Sequence, residues 1–248
     1  MTHNLQNTLS ILLLALTTSS CGLMYRVILG VDSNPGWKSH DQIVKDFKRF
    51  KIPESNSFVL DTASYTNAVL SVYNIRKEKI KKDSLLTDSL DWYFAESNAN
   101  NDLQPVQIRY FDQNGKPLFK MINCYIDGYL KMSWNVDSCF DTFPPKSIEY
   151  LSYDTNENLD FFIPYIKTLN GESLQLNKIP KSSFYAIVFW NSYMRKPSKT
   201  LINQIRKTEL NNPTKNTYIF YVNNHNASLW DLLDTENKKL LQQELEKH

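Results

Sequence analysis

Two nearly uninterrupted apolar runs in the last third of the chain restrict the fold more than any other feature. They are Phe184-Tyr185-Ala186-Ile187-Val188-Phe189-Trp190 and Thr217-Tyr218-Ile219-Phe220-Tyr221-Val222. A strand with one face in water alternates apolar and polar residues, so runs without that alternation read as strands covered on both faces. Between them Leu201, Ile202 and Ile205 recur at helical spacing. A buried strand, a helix and a second buried strand predict a right-handed βαβ unit with a parallel pair. Ser228, with Asp231 three residues on, reads as the cap of a terminal helix carrying Leu229, Leu232, Leu233, Leu240 and Leu241.

The preceding part has a different rhythm. Ser39, followed three residues later by Gln42, has the pattern of a capping box, and Ile43, Val44, Phe47 and Phe50 follow on one helical face until Pro53. Ala68, Val69, Val72 and Ile75 predict a second helix, which runs into the basic stretch 76–82 and gives it the character of a solvated helix end. Residues 106–111 alternate, Asn114-Gly115 offers a tight turn with positive φ angles, and residues 118–125 return, predicting an antiparallel hairpin. Pro144-Pro145 breaks the chain, and residues 148–153 read as a further strand that could complete the sheet. The expected class is α+β, with an N-terminal α+β region at 21–146 and a C-terminal region at 147–248.

The segment Ile187-Val188-Phe189-Trp190-Asn191-Ser192-Tyr193-Met194-Arg195-Lys196-Pro197-Ser198-Lys199 resembles the first core strand and active-site turn of thioredoxin-like proteins. Phe189-Trp190, Tyr193 and Pro197 match. Met194 and Ser198 stand where the family carries its two redox cysteines, with one extra residue between them. The resemblance covers about residues 184–224 and implies a thioredoxin-like unit. The family's later cis-proline strand pair has no counterpart after Asn224. Thiol–disulfide chemistry needs a thiolate favoured by a helix N-terminus. Methionine has no ionisable proton and serine does not exchange, so Tyr193, Met194, Pro197 and Ser198 form a degenerate turn. By resemblance it is a surface for contact with a partner rather than a catalytic centre.

At the other end, the apolar stretch 9–16 is too short to cross a bilayer of ~30 Å and has the size of a signal-peptide core. The small residues Thr17-Thr18-Ser19-Ser20 and then Cys21 follow. This resembles a bacterial lipoprotein signal peptide, with residues 1–20 removed and Cys21 lipidated, although Thr18 stands where such signals commonly carry Leu. The resemblance implies a lipid-anchored envelope protein, at the outer membrane and facing the periplasm, whose partner is the membrane itself together with an unknown protein or ligand.

An exported location permits a disulfide between Cys124 and Cys139, the remaining thiols. A structural pair is the expectation, and a thiol–disulfide oxidoreductase using Cys124 and Cys139 is the alternative. No cofactor and no metal site is expected: His40, His225 and His248 are scattered, and no glycine-rich phosphate loop can be written from six glycines. Lys+Arg 28 against Asp+Glu 26 gives no electrostatic case for nucleic acid. Trp37, Trp92, Trp134 and Trp230 are candidate faces for a glycan, a second alternative, with the core as their default place. Asp61-Thr62-Ala63, Asp83-Ser84-Leu85 and Asp88-Ser89-Leu90 resemble short O-glycosylation acceptors, and equally the caps of helices.

Overall fold

A computed structural model describes residues 32, 35–82, 103–122, 140, 142–145, 158–232 and 235–236. Their helices are α1 (His40–Arg49), α2 (Thr62–Lys82), the single turn α3 (Leu159–Phe162), α4 (Arg195–Asn211) and α5 (His225–Leu232). The strands are β1 (Ser57–Leu60), β2 (Gln107–Asp112), β3 (Pro117–Ile122), β4 (Ile166–Thr168), β5 (Phe184–Trp190) and β6 (Thr217–Asn223), all in one sheet of order β3-β2-β5-β6-β1-β4. The class is α+β with a mixed sheet. β5, β6 and β1 are parallel to their neighbours within that trio, while β2, β3 and β4 pair antiparallel. Residues on both sides of the expected boundary at 146/147 therefore contribute to the same sheet.

The two apolar runs occupy the middle, and each strand shows five successive buried residues. Their alternate side chains feed two cores. On one face, Ala186, Val188, Trp190, Ile219 and Tyr221 meet Ile43 and Phe47 of α1 and Leu201, Ile202 and Ile205 of α4. On the other, Ile187, Phe189, Phe220 and Val222 meet Tyr65 and Val69 of α2, Leu159 and Phe162 of α3, and Ala227 of α5. Trp190 is fully buried, with Phe47 edge-on at 4.9 Å and Phe50 at 4.7 Å between ring centres. Such aromatic contacts add roughly 0.5–1.5 kcal/mol beyond area burial.

Both helix starts read near residues 39 and 62 are built locally. Ser39 accepts from the Gln42 N–H, and Gln42 returns the bond to the Ser39 N–H. Asp61 accepts from the Ser64 N–H, as a helix cap does, and also pairs with Lys167 of β4. Helix α1 ends at Arg49, before Pro53, because Lys51 turns the chain through φ 56°.

Three expectations are corrected. Strand β2 is buried on both faces rather than alternating, because β3 and β5 flank it and helices cover it. Its polar members are satisfied inside: Gln107 donates to the Gln104 carbonyl, Arg109 donates to Gln107, and the Arg109 guanidinium lies 4.7 Å from the centre of the Phe162 ring. The hairpin turn is wider than an Asn-Gly two-residue turn, and only Gly115 takes a positive φ, 78°. Asp112 organises it, its carboxylate accepting from the N–H groups of Asn114 and Lys116. Finally, Ser228 is not a cap: α5 begins at His225, and Ser228 already donates to the Asn224 carbonyl. The expected strand at 148–153 lies outside the described residues. Among those described, hairpin β2–β3 and strands β1 and β4 complete the sheet.

Candidate functional site

The turn at 191–198 follows β5 at the C-terminal ends of the two central parallel strands, where open parallel sheets commonly bind ligands. Asn191 and Ser198 sit at its centre, both with no solvent exposure. The Asn191 Oδ1 accepts from the Met194 N–H at 2.8 Å. Its Nδ2 donates to the Pro105 carbonyl and to the Asn224 Oδ1, each at 3.2 Å, and Asn224 also donates to Pro105 at 2.9 Å. The Ser198 hydroxyl accepts from the Asn191 N–H at 3.2 Å and donates to its carbonyl at 2.8 Å. These hydrogen bonds close the turn on itself. Met194 is 6% exposed and Pro197 is buried. The exposed side chains at the start of α4 are Arg195, Lys196 and Lys199.

Beside the turn stands a pair that sequence reading left unconnected. The Ser192 Oγ lies 3.0 Å from His225 Nδ1, and His225 Nε2 lies 2.9 Å from the Gly36 carbonyl. A carbonyl can only accept, so Nε2 carries the proton and Nδ1 of the neutral ring accepts the serine hydroxyl. Burial holds the His225 imidazole below its ordinary pKa; the Gly36 carbonyl acts in the opposite sense, Lys38 adds to the lowering, and Asp46 and Asp32 oppose it. A hydroxyl bonded to a basic nitrogen is the arrangement used to activate serine. Here the ring is 2% exposed and fixed on both nitrogens, with Tyr193 edge-on at 5.4 Å, so it acts as a clamp.

The clamp holds the segment that leads into α1. Asn226 brackets Lys38, accepting from its N–H at 3.0 Å and donating to its carbonyl at 2.9 Å, and Lys38 in turn pairs with the buried Asp46. Further back, the Asp32 N–H donates to the Tyr193 carbonyl at 2.6 Å. The chain from the N-terminus thus arrives on the turn itself.

At the opposite end of β5 lies a hollow of about 510 Å³. Gln113, Asn114, Asp160, Asn177, Lys181, Ser182 and Tyr185 supply its polar lining, and the exposed Leu176 also lines it.

Cys21, Cys124 and Cys139 lie outside the described residues, as do Trp92, Trp134, His248 and the motifs beginning at Asp83 and Asp88. Trp37 and Trp230 are half-buried and His40 is exposed at the first residue of α1. His225 is brought to the turn. Among the described residues no helix is long and apolar enough to cross a membrane, and no group of His, Cys, Asp and Glu is placed to hold a metal ion. The Ser192–His225 pair was readable in principle: Trp190 and Asn223 are partners in a parallel register, so the residues two places beyond each are neighbours. Comparison with protein-family models, curated proteins and solved structures finds no match.

Proposed function

We propose that this chain is a lipid-anchored envelope protein whose thioredoxin-like unit has exchanged redox chemistry for binding, with the surface around Tyr193 and the start of α4 as its contact. The observation that carries this reading is the double hydrogen bond between Ser198 and Asn191 at the place of the second redox cysteine. A hydroxyl held in this way cannot exchange, and it stiffens the turn into a platform. The sheet supports the thioredoxin-like part. A parallel β5–α4–β6 unit is flanked by an antiparallel strand pair, which here precedes the unit in the chain instead of following it. Pro105 stands just before that pair, with its carbonyl turned to Asn191 and Asn224.

The anchor and the platform are close along the chain. Asp32, bonded to Tyr193, follows Cys21 by so few residues that even fully extended chain spans about 40 Å. A partner at this turn would be met within that distance of the membrane. The test is site-specific photo-crosslinking in the native envelope, with the crosslinker at Tyr193 or Lys196 and, as control, at Leu210, which is 79% exposed. The expected result is a discrete adduct from the turn alone. Equal patterns from all three positions would remove the turn as a contact, and a Cys21→Ala protein that stays in the membrane fraction would remove the anchor.

A second reading, an envelope protein that binds a glycan, is favoured by the amide- and tyrosine-lined hollow at the far end of β5, whose volume lies in the range of small-ligand sites. Calorimetric titration with oligosaccharides checks it, and heat unchanged by Tyr185→Ala would place any binding elsewhere.

A further inference from the structure

The chain as a whole is nearly neutral, yet cations supply five of the eight residues that line one hollow. It holds about 270 Å³ and lies between the C-terminal end of α1 and the face of α4. Arg49, Lys51, Arg195, Lys199 and Arg206 line it together with Phe50, Ile202 and Asn203, and no carboxylate is among its lining residues. Arg206 is already oriented, since one guanidinium nitrogen donates to the carbonyls of Phe50 at 2.6 Å and Lys51 at 2.7 Å. The other four cations are exposed and converge from α4, from the last turn of α1 and from the turn that follows it.

Ordinary helix electrostatics accounts for only part of this. Arg49 sits in the last turn of α1, where a cation is favoured. Arg195 and Lys199 sit at the start of α4, where the helix dipole disfavours them, and the first turn of α4 carries no acid. Residues that break a local rule without local compensation mark places where something else is selected for. An anion in the hollow would offset both the mutual repulsion of the cations and their conflict with the dipole.

We infer that the hollow between α1 and α4 is a binding site for a compact phosphate-bearing ligand, with Arg195 and Lys199 gripping from the helix and Arg49 and Lys51 closing from the opposite wall. The site stands independently of the proposed contact at the turn, with which it shares Arg195. Two sources offer this chemistry: a soluble phosphate compound, and an anionic lipid headgroup, which the expected anchor would bring near.

The test uses the chain from residue 21 with Cys21→Ser, which carries no lipid of its own, in two arms, pyrophosphate by calorimetry at low salt and sedimentation with phosphatidylglycerol–phosphatidylcholine vesicles, each with and without Arg195→Gln/Lys199→Gln. Pyrophosphate binding weakened at least tenfold in the double variant supports the site with a soluble ligand. Vesicle binding alone, weakened likewise, supports it with a headgroup. In the absence of ligand the double variant should melt at or above its parent's temperature, because it relieves the dipole conflict, so a loss of binding is not a loss of folding. Absence of binding in both arms, or binding that the double variant leaves unchanged, overturns the inference.

Discussion

Ser198 and Asn191, both fully buried, are bonded twice, the serine hydroxyl accepting from the asparagine N–H and donating to its carbonyl. Replacing Ser198 by alanine leaves a main-chain donor and an acceptor unmet in the interior. A cost of about 1–3 kcal/mol is expected, since a buried polar group left unpaired loses its full solvation. Urea denaturation of Ser198→Ala measures it, and a loss well under 1 kcal/mol would mean that water takes the place of the hydroxyl.

His225 makes stability depend on pH. Burial disfavours the imidazolium, so the folded protein takes up this proton at a lower pH than the unfolded chain does. The unfolded state then binds more protons, and stability rises with pH across that interval. The contribution is complete above the ordinary histidine value of about 6.5 and is lost as pH falls below it, until the folded value is passed. Melting temperatures from neutral to mildly acidic pH should therefore decline, and His225→Gln should flatten this part of the curve. An unchanged slope in that variant would assign the decline to other groups.

Tyr110 is fully buried, and its hydroxyl has no hydrogen-bond partner among the described residues. Burial pushes its pKa up, with Glu209 and Tyr221 adding to the effect. Tyr110→Phe removes a desolvated hydroxyl and keeps the ring against Phe119 and Phe143. Stability should rise by about 1 kcal/mol. A fall on chemical denaturation would show that the hydroxyl is satisfied after all.

Gly115 joins two parts of the chain. Its carbonyl accepts from the Leu159 N–H at 2.9 Å, it holds φ 78°, and an added methyl would meet the Leu159 Cβ at 3.1 Å. Gly115→Ala should cost about 1–3 kcal/mol through backbone strain and the displaced contact. Hydrogen exchange at the Leu159 amide should accelerate with it, and normal protection there would mean that α3 holds its place without the hairpin turn.

The parts of this fold legible in the sequence are those that announce themselves locally. The βαβ runs, the Ser39–Gln42 box and the hairpin strands each carry their signal within a few residues. Strand β1, Ser-Phe-Val-Leu, is too short to show a period, and its identity comes from lying between β6 and β4. Strand β2 looked half-exposed because Gln107 and Arg109 interrupt it, and both are polar residues made acceptable inside by partners distant from any sequence pattern. Likewise, Met194, Pro197 and Ser198 lie close together in the sequence, whereas His225 joins their neighbourhood only through strand register. The cationic hollow was invisible because its cations come from two helices and the turn after the first, and each looks like an ordinary surface charge.

The order of strands across the sheet also sets an order in time. Ser57 lies beside Tyr221, and Gln107 lies beside Phe189. A chain that emerges from its N-terminus therefore exposes β1 and the hairpin long before their neighbours exist. Contacts this distant in sequence make for slow folding and leave strand edges uncovered meanwhile. The last strands made, β5 and β6, are the ones that β2 and β1 await, so loss of the final third should leave the first two thirds without a fold to join.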